Sequence, residues 1–433
     1  MKKVILVEEL ITFQQHIKSD YYYIDYIKDS LVIIYPSDDI NCYVLSLGNF
    51  QIKQLIDLNY IIDFIKNTEC KFYIKNLNDL LFNITDLVTM SRVMDVNVYL
   101  YYINNLIGKE ESDITKLNYK NKKQYNFNYS LYKNTINPRI VNILNIVESS
   151  FEFHKNIFMK YFDINFNINR VISFNFLNKM VENGICDNGE IVFIEYKIHS
   201  VTRRPMIIDK FEYMNLNKNN GSRERIKSRF GEDGSIVEID FQSCHLQFLD
   251  RLLNLFPNKQ RGFNYHNEMS RILFKRDLEK PADKKELKSK LFNVLYSEHQ
   301  EKIDNPVLHK IYLLSEQLQE EYNKNGFIFG VDKTKIYFDQ IPNKNKILNY
   351  FIQDLETSIN MNIINTLYIS QKYGNNNKWN LILYIYDSFV FDVEKRDLRF
   401  FKEIMDIILD SFIYSYSVGE SFNFNNIIKE DNG

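Results

Sequence analysis

The sequence predicts an α+β fold divided into more than one domain. A chain of 433 residues can bury two or three cores, and 45% hydrophobic with 25% charged residues is ordinary for a globular protein. Residues 1 to about 108 alternate short β-rich runs with helical patterns. Beyond Ile191, strand-like runs are separated by long segments of helical periodicity.

Taken in order, residues 3–7, 21–26, 30–35 and 42–47 read as strands, and 60–66 and 87–94 as helices. The opening Met1-Lys-Lys-Val-Ile-Leu-Val is followed by Glu8 and Glu9, which suits a first strand better than a signal peptide. Residues 109–130 are polar and form a candidate linker. Helices are expected over 140–161 and 172–181, then a strand-rich stretch, helices within 263–296, and a long helix over 349–368. Pro281 falls near a helix start, where proline is tolerated. A strand-turn-strand at 381–393, a helix at 398–412 and a strand at 413–418 complete the order, and no internal repeat is visible. The domain reading is 1–108, 109–200 and 201–433.

The chemistry centres on two acids. Ile236, Val237 and Ile239 favour a strand, and Leu246, Leu249, Leu252 and Leu253 recur at helical spacing, so Asp240 should project from a strand's C-terminal edge. Asp387 interrupts an otherwise apolar strand-turn-strand, and an isolated buried carboxylate is costly unless paired or metal-bound. It therefore belongs at an exposed hairpin tip or on a cation. Two such acids can hold a pair of divalent ions about 4 Å apart, as in-line nucleotidyl transfer uses. An exposed turn aspartate is the plainer alternative for each. Between them, Lys284, Lys288, Phe292 and Tyr296 recur every four residues, so one helical face presents two ammonium groups and then two rings. That face suits a triphosphate and a base; a solvated lysine face above core aromatics is the alternative.

The formal net charge of −2 gives no global nucleic-acid signal, so DNA contact requires a local basic surface. Arg203, Arg204, Lys210, Lys218, Arg223, Arg225, Lys227 and Arg229 cluster just before Asp240 and are candidates for phosphate contacts. The four cysteines are too scattered for a zinc module, which suggests a reducing intracellular setting. No apolar run reaches the ~18 residues of a membrane span. Abundant Asn, Lys, Ile and Tyr suggest an AT-rich coding genome.

In this arrangement the residues resemble the family A (Pol I-like) DNA polymerases, in a compact viral, phage or mobile-element form. Asp240-Phe-Gln-Ser-Cys-His-Leu resembles the first motif, Lys284/Lys288/Phe292/Tyr296 the fingers helix, and Tyr386-Asp387-Ser388 the place of the usual His-Asp-Glu. Weaker matches stand in order around these: Thr202-Arg-Arg204, Asn215 with the basic stretch at Arg225, His266, Asn349-Tyr-Phe-Ile-Gln353 and Tyr416-Ser-Val-Gly419.

The resemblance implies a right-hand polymerase: a palm of antiparallel sheet, helical fingers at about 255–345 and a reduced helical thumb. It also implies an N-terminal RNase H-like, exonuclease-type α/β domain. Asp240, Asp387 and Phe241 would hold two Mg²⁺ ions, with Mn²⁺ as a substitute. Lys284, Lys288, Phe292, Tyr296, His245 and His266 would bind nucleotide. Arg203, Arg204, Asn215, Arg225, Asn349, Gln353 and Tyr386 would contact DNA. The implied partners are primer-template DNA, dNTPs and replication accessory proteins, without a membrane, and the implied state is a monomer. The implied location is a bacterial or host cytoplasm, an organelle or a viral replication compartment.

This sequence departs from the family pattern in places. The first exonuclease acid would be Asp25, but Ile27 stands where its partner is expected, so that domain is read as inactive. His245 replaces a Glu that helps exclude the ribose 2′-hydroxyl, and Asp387-Ser-Phe resembles single-subunit RNA polymerases. The alternatives are therefore an RNA polymerase or primase-like enzyme, or an inactive nucleic-acid-binding relic.

Overall fold

The apolar runs near the N-terminus pair into one mixed sheet. In the computed structural model these are β1 (Val4–Leu6), β2 (Tyr21–Ile27), β3 (Leu31–Pro36) and β4 (Cys42–Ser46), followed by α1 (Leu58–Asn67), β5 (Lys71–Lys75) and β6 (Val93–Asp95). The structure describes residues 4–6, 21–27, 31–36, 42–46, 58–75, 92–95, 169–198, 200–207, 210–217, 220–259, 263–278, 283, 285–287, 289–291, 305–338, 340–373, 379–424 and 430–431. The chain divides into two units, Met1–Asn175 and Phe176–Gly433.

In the first unit the strand order is β1-β4-β3-β2-β5-β6. β2, β3 and β4 form an antiparallel meander, while β5 runs parallel to β2 and β6 parallel to β5. α1 presents Ile61, Ile62, Phe64 and Ile65 to the core, the i, i+3, i+4 pattern of an amphipathic helix. Phe64 meets Tyr22 edge-on at 5.3 Å, and Tyr22 stacks on Phe72 at 5.5 Å. The Arg92 guanidinium donates to the carbonyls of Thr68 and Lys66, satisfying groups left open at the end of α1. Residues 93 and 94, expected at the end of a helix, lie instead in β6, where Val93 is fully buried. A short apolar run does not by itself distinguish helix from strand, and pairing with β5 decides. Residues 87–91 of that expected helix, and the linker and helix expected within 109–161, lie outside the described residues.

α2 (Asn169–Met180) leads towards the second unit. There, hairpins β7 (Ile185–Asp187) with β8 (Glu190–Val192) and β9 (Tyr196–Ile198) with β10 (Pro205–Ile207) precede the central strand β11 (Gly234–Phe241). Next come α3 (Cys244–Leu253), α4 (Tyr265–Phe274), α5 (Pro306–Asn325), the hairpin β12 (Phe327–Phe329) and β13 (Lys335–Tyr337), and α6 (Lys344–Tyr373). The chain closes through β14 (Trp379–Ile385), β15 (Ser388–Glu394), α7 (Leu398–Ile408), β16 (Tyr414–Gly419) and β17 (Glu430–Asp431). α5 has a clear start and stop: Asn305 caps its first amides with Pro306 following, and Gly326 ends it at φ 76°.

The main sheet of this unit has the order β14-β15-β11-β16-β17, antiparallel throughout. β11 lies in its middle and is buried on both faces from Gly234 to Ile239. Phe241, beyond the last of these, joins Phe248, Phe389 and Phe412 in an aromatic cluster. Trp379, Phe391 and Phe401 form a second cluster that fastens α7. α6 packs against α3, α5 and α7.

Candidate active site at the end of the central strand

Asp240 and Asp387 come together because one ends the central strand and the other turns the neighbouring hairpin. In the antiparallel ladder Asp240 stands opposite Ser388 of β15 and Ser415 of β16. The Phe241 amide donates to the Asp387 carbonyl at 2.9 Å, so the two acids flank a single inter-strand hydrogen bond. Ser415 Oγ donates to the Asp240 carbonyl, at 3.4 Å. Gln247 of α3 completes the brace: its amide donates to the Gln242 and Ile413 carbonyls and its oxygen accepts from the Ile413 amide.

Asp387 is exposed, as a hairpin-tip acid should be, yet protein crowds its carboxyl from the other sides. Burial raises its pKa, and the charge of Glu356 raises it further, against its own backbone hydrogen bond and the neighbouring His245 and Arg204.

Glu356 is a member of the site that sequence reading missed. It is almost wholly buried on α6, accepts a charge-assisted hydrogen bond from Arg204 and lies 3.4 Å from His245 Nε2. Burial alone would raise its pKa, but the His245 hydrogen bond and the Arg204 charge outweigh that and hold the carboxyl below the usual range. The Arg204 guanidinium also covers the Tyr386 ring at 4.2 Å. Asn349, Gln353, Glu356 and Asn360 recur at helical spacing on α6. That polar stripe was the available signal, and only its first two members were recognised. Gln353 donates to Asn349 Oδ1 and accepts from Thr202 Oγ1, both at 3.2 Å. His266 is buried on α4 with its Nδ1 3.0 Å from Ser243 Oγ, just before α3.

One site expectation is corrected, that of Arg203 as a DNA contact. Arg203 is fully enclosed, with its guanidinium 3.5 Å from Asp354 and donating to the Lys335 carbonyl, so it presents nothing to DNA. Arg225 is paired with Asp187 at 3.3 Å and rests on Tyr213; Asn215 is exposed at the end of a 3₁₀ turn. The expected basic surface is largely spent inside the fold, since Arg223 pairs with Glu238 and Arg229 with Asp392. Arg203, Arg204 and Arg229 each meet a carboxylate more than 150 residues away, which composition cannot reveal. Phe241 has no side-chain ligand atom, leaving only its carbonyl for a cation. Lys284, Lys288, Phe292 and Tyr296 lie outside the described residues; residues 285–287 and 289–291 between them are helical.

Among the described residues no group of three or more His, Cys, Asp or Glu is gathered as a cation cage. The two aspartates nevertheless fit a hard divalent cation: both offer oxygen donors, and exposed Asp387 carries a charge its surroundings disfavour. No protein-family model matches the chain, and no curated protein does. Among solved structures it matches the POL domain of Pol1 from M. smegmatis, determined in complex with DNA primer-template and dNTP. The TM-score is 0.69 at 10% sequence identity, over 98% of this chain and 99% of that one. The two share a fold. The mixed α and β content and the antiparallel sheets expected from the sequence belong to that shared architecture. Among the described residues no helix is long and apolar enough to cross a membrane.

Proposed function

We propose that the chain is a template-directed DNA polymerase that adds dNTPs to a primer 3′-hydroxyl, with Asp240 and Asp387 holding two Mg²⁺ ions and Mn²⁺ able to replace them. The observation that carries this reading is the meeting of the two acids across one hydrogen bond between β11 and the β14–β15 turn. The fold shared with a polymerase domain supports it. In this reading the five-stranded sheet is the palm, the helices within 255–345 are the fingers and residues 109–200 supply a reduced thumb. The mixed sheet of the first unit supports an exonuclease-type domain without catalytic acids in order.

The chemistry supplied by such a pair of ions is a lowered pKa for the primer hydroxyl and charge stabilisation on the departing pyrophosphate. The protein's own groups position and neutralise. Asp240 and Asp387 must both be ionised, and a cation offsets the crowding and the Glu356 charge that oppose ionisation at Asp387. Arg204, held by Glu356 and stacked on Tyr386, offers a fixed cationic surface beside the primer end, next to Gln353 and Asn349. Lys288 and Lys284 neutralise the triphosphate, Phe292 stacks on the incoming nucleotide and Tyr296 closes over the template position. His245 and His266 border the nucleotide. Primer-template DNA and dNTPs are the partners, replication accessory proteins are further ones, and the protein works as a monomer.

Transfer of ribonucleotides is the second reading, favoured by His245 and by Ser388 after Asp387. Parallel extension of a primed template with dNTPs or rNTPs tests both. Mg²⁺-dependent, template-matched incorporation of dNTPs is the expected result. Strong rNTP use with poor dNTP use overturns the first reading in favour of the second, and DNA binding without incorporation of either overturns both.

A further inference from the structure

Asp387 sits in a two-residue turn between β14 and β15, and the residue before it, Tyr386, has φ 51°. A tyrosine in the left-handed region needs to be held there by its surroundings. One group does so directly. The Asn360 side-chain amide of α6 donates to the Tyr386 carbonyl at 2.7 Å and to Tyr384 Oη at 3.1 Å, and Asn360 is fully buried. A carbonyl can only accept, so the amide nitrogen of Asn360 must face the turn. The preceding strand is anchored by a second device: Tyr196 Oη donates to the Tyr384 carbonyl at 2.8 Å and accepts from the Tyr384 amide at 2.6 Å. Asn178 of α2 in turn brackets the Tyr196 backbone with both ends of its amide.

We infer that Asn360 is a positioning residue, whose hydrogen bond to the Tyr386 carbonyl holds the strained turn in the one conformation that aims Asp387 at a cation shared with Asp240. The inference rests on the proposed cation-holding role of the two aspartates. Asn360 touches neither substrate nor cation and acts through the backbone of the turn. It also explains why a buried amide lies on the α6 stripe beyond Gln353 and Glu356, where an apolar residue would pack as well.

The test is titration of the full-length protein with Mn²⁺, followed by the electron paramagnetic resonance signal of the free ion. Asn360→Leu, near in shape but without a donor, is expected to weaken Mn²⁺ binding by about tenfold or more, as loss of an outer-shell partner does. Asn360→Ala, which likewise has no donor, is measured beside it and carries the same expectation if the leucine variant does not fold. A glycine adopts positive φ freely. In a Tyr386→Gly background the effect of changing Asn360 is therefore expected to shrink, which a merely structural role would not produce. Wild-type protein that binds Mn²⁺, with Asn360 variants that bind it equally, overturns the inference and leaves the aspartates' role standing. Wild-type protein that binds no Mn²⁺ overturns both. A Tyr386→Gly background in which the loss is undiminished overturns the turn-restraint argument.

Discussion

Each unit of this protein carries an acid in an interior strand of its sheet, and the two acids have different neighbours. Asp25 lies in β2, in register with Ile33 of β3 on one side and Lys75 of β5 on the other, with Ile27 two residues on. Asp240 lies at the end of β11, facing two serines, with a hairpin turn delivering Asp387 beside it. A strand-end carboxylate gains metal chemistry only when the topology brings it a second carboxylate. The first sheet supplies an isoleucine and a lysine at the register positions; the second supplies a turn.

Breaking the second arrangement should have the largest effect. Asp387→Asn is expected to lower primer extension by at least about 10²-fold, the scale on which losing one charge-stabilising group acts, while gel-shift binding to primer-template persists. The same variant sharpens the electrostatic argument. The folded-state pKa of Asp387 is raised, so its ionised form opposes folding, and wild-type stability declines as pH rises through that raised range. Without Mg²⁺, Asp387→Asn should therefore melt no lower than wild type at neutral pH. Mg²⁺ should raise the wild-type melting temperature and leave the variant unmoved.

Glu356→Gln comes next. It leaves Arg204 and His245 facing a neutral amide, and breaking a buried pair typically removes about 3–5 kcal/mol, readable by urea unfolding. The sign with pH is opposite to that of Asp387. The carboxyl of Glu356 is held low, so its contribution is present above the ordinary glutamate pKa and is lost as pH falls through the lowered one. The gap between wild type and variant should narrow between pH 7 and acid conditions. Removal of the Glu356 charge should also lower the Asp387 pKa, shifting the acid limb of the rate profile downwards.

The smallest effect is expected in the first unit. Asp25→Asn should leave any metal-dependent degradation of single-stranded DNA unchanged, because Asp25 lacks the acid two residues on that such chemistry needs. A measurable loss of nuclease activity in that variant would make the two sheets functionally alike and remove the contrast.

Much of the local structure was legible in the chain. β1 to β4 fall within a residue or so of the expected runs, and the hairpin at 381–393, the long α6 and the closing α7 and β16 are where apolar periodicity put them. Asp240 and Asp387 were visible because an acid interrupting a β-branched run is a conspicuous anomaly. The arginines were misread for the converse reason: Arg203, Arg223 and Arg229 look like a basic surface when their partners Asp354, Glu238 and Asp392 are out of view. Glu356 and Asn360 carried a weak periodic signal that lacked meaning until α6 was laid against the sheet.

By itself the sequence determined many of the strands and helices, those that frame the two acids among them, because these follow from alternation, helical spacing and an anomalous charge within a few residues; β5, α5 and the β12–β13 hairpin were not read from it. Only the tertiary structure decided which charges are free to meet a ligand. Pairing across 150 or so positions, as between Arg204 and Glu356, depends on how α6 crosses the sheet, and no local pattern encodes a partner so far away.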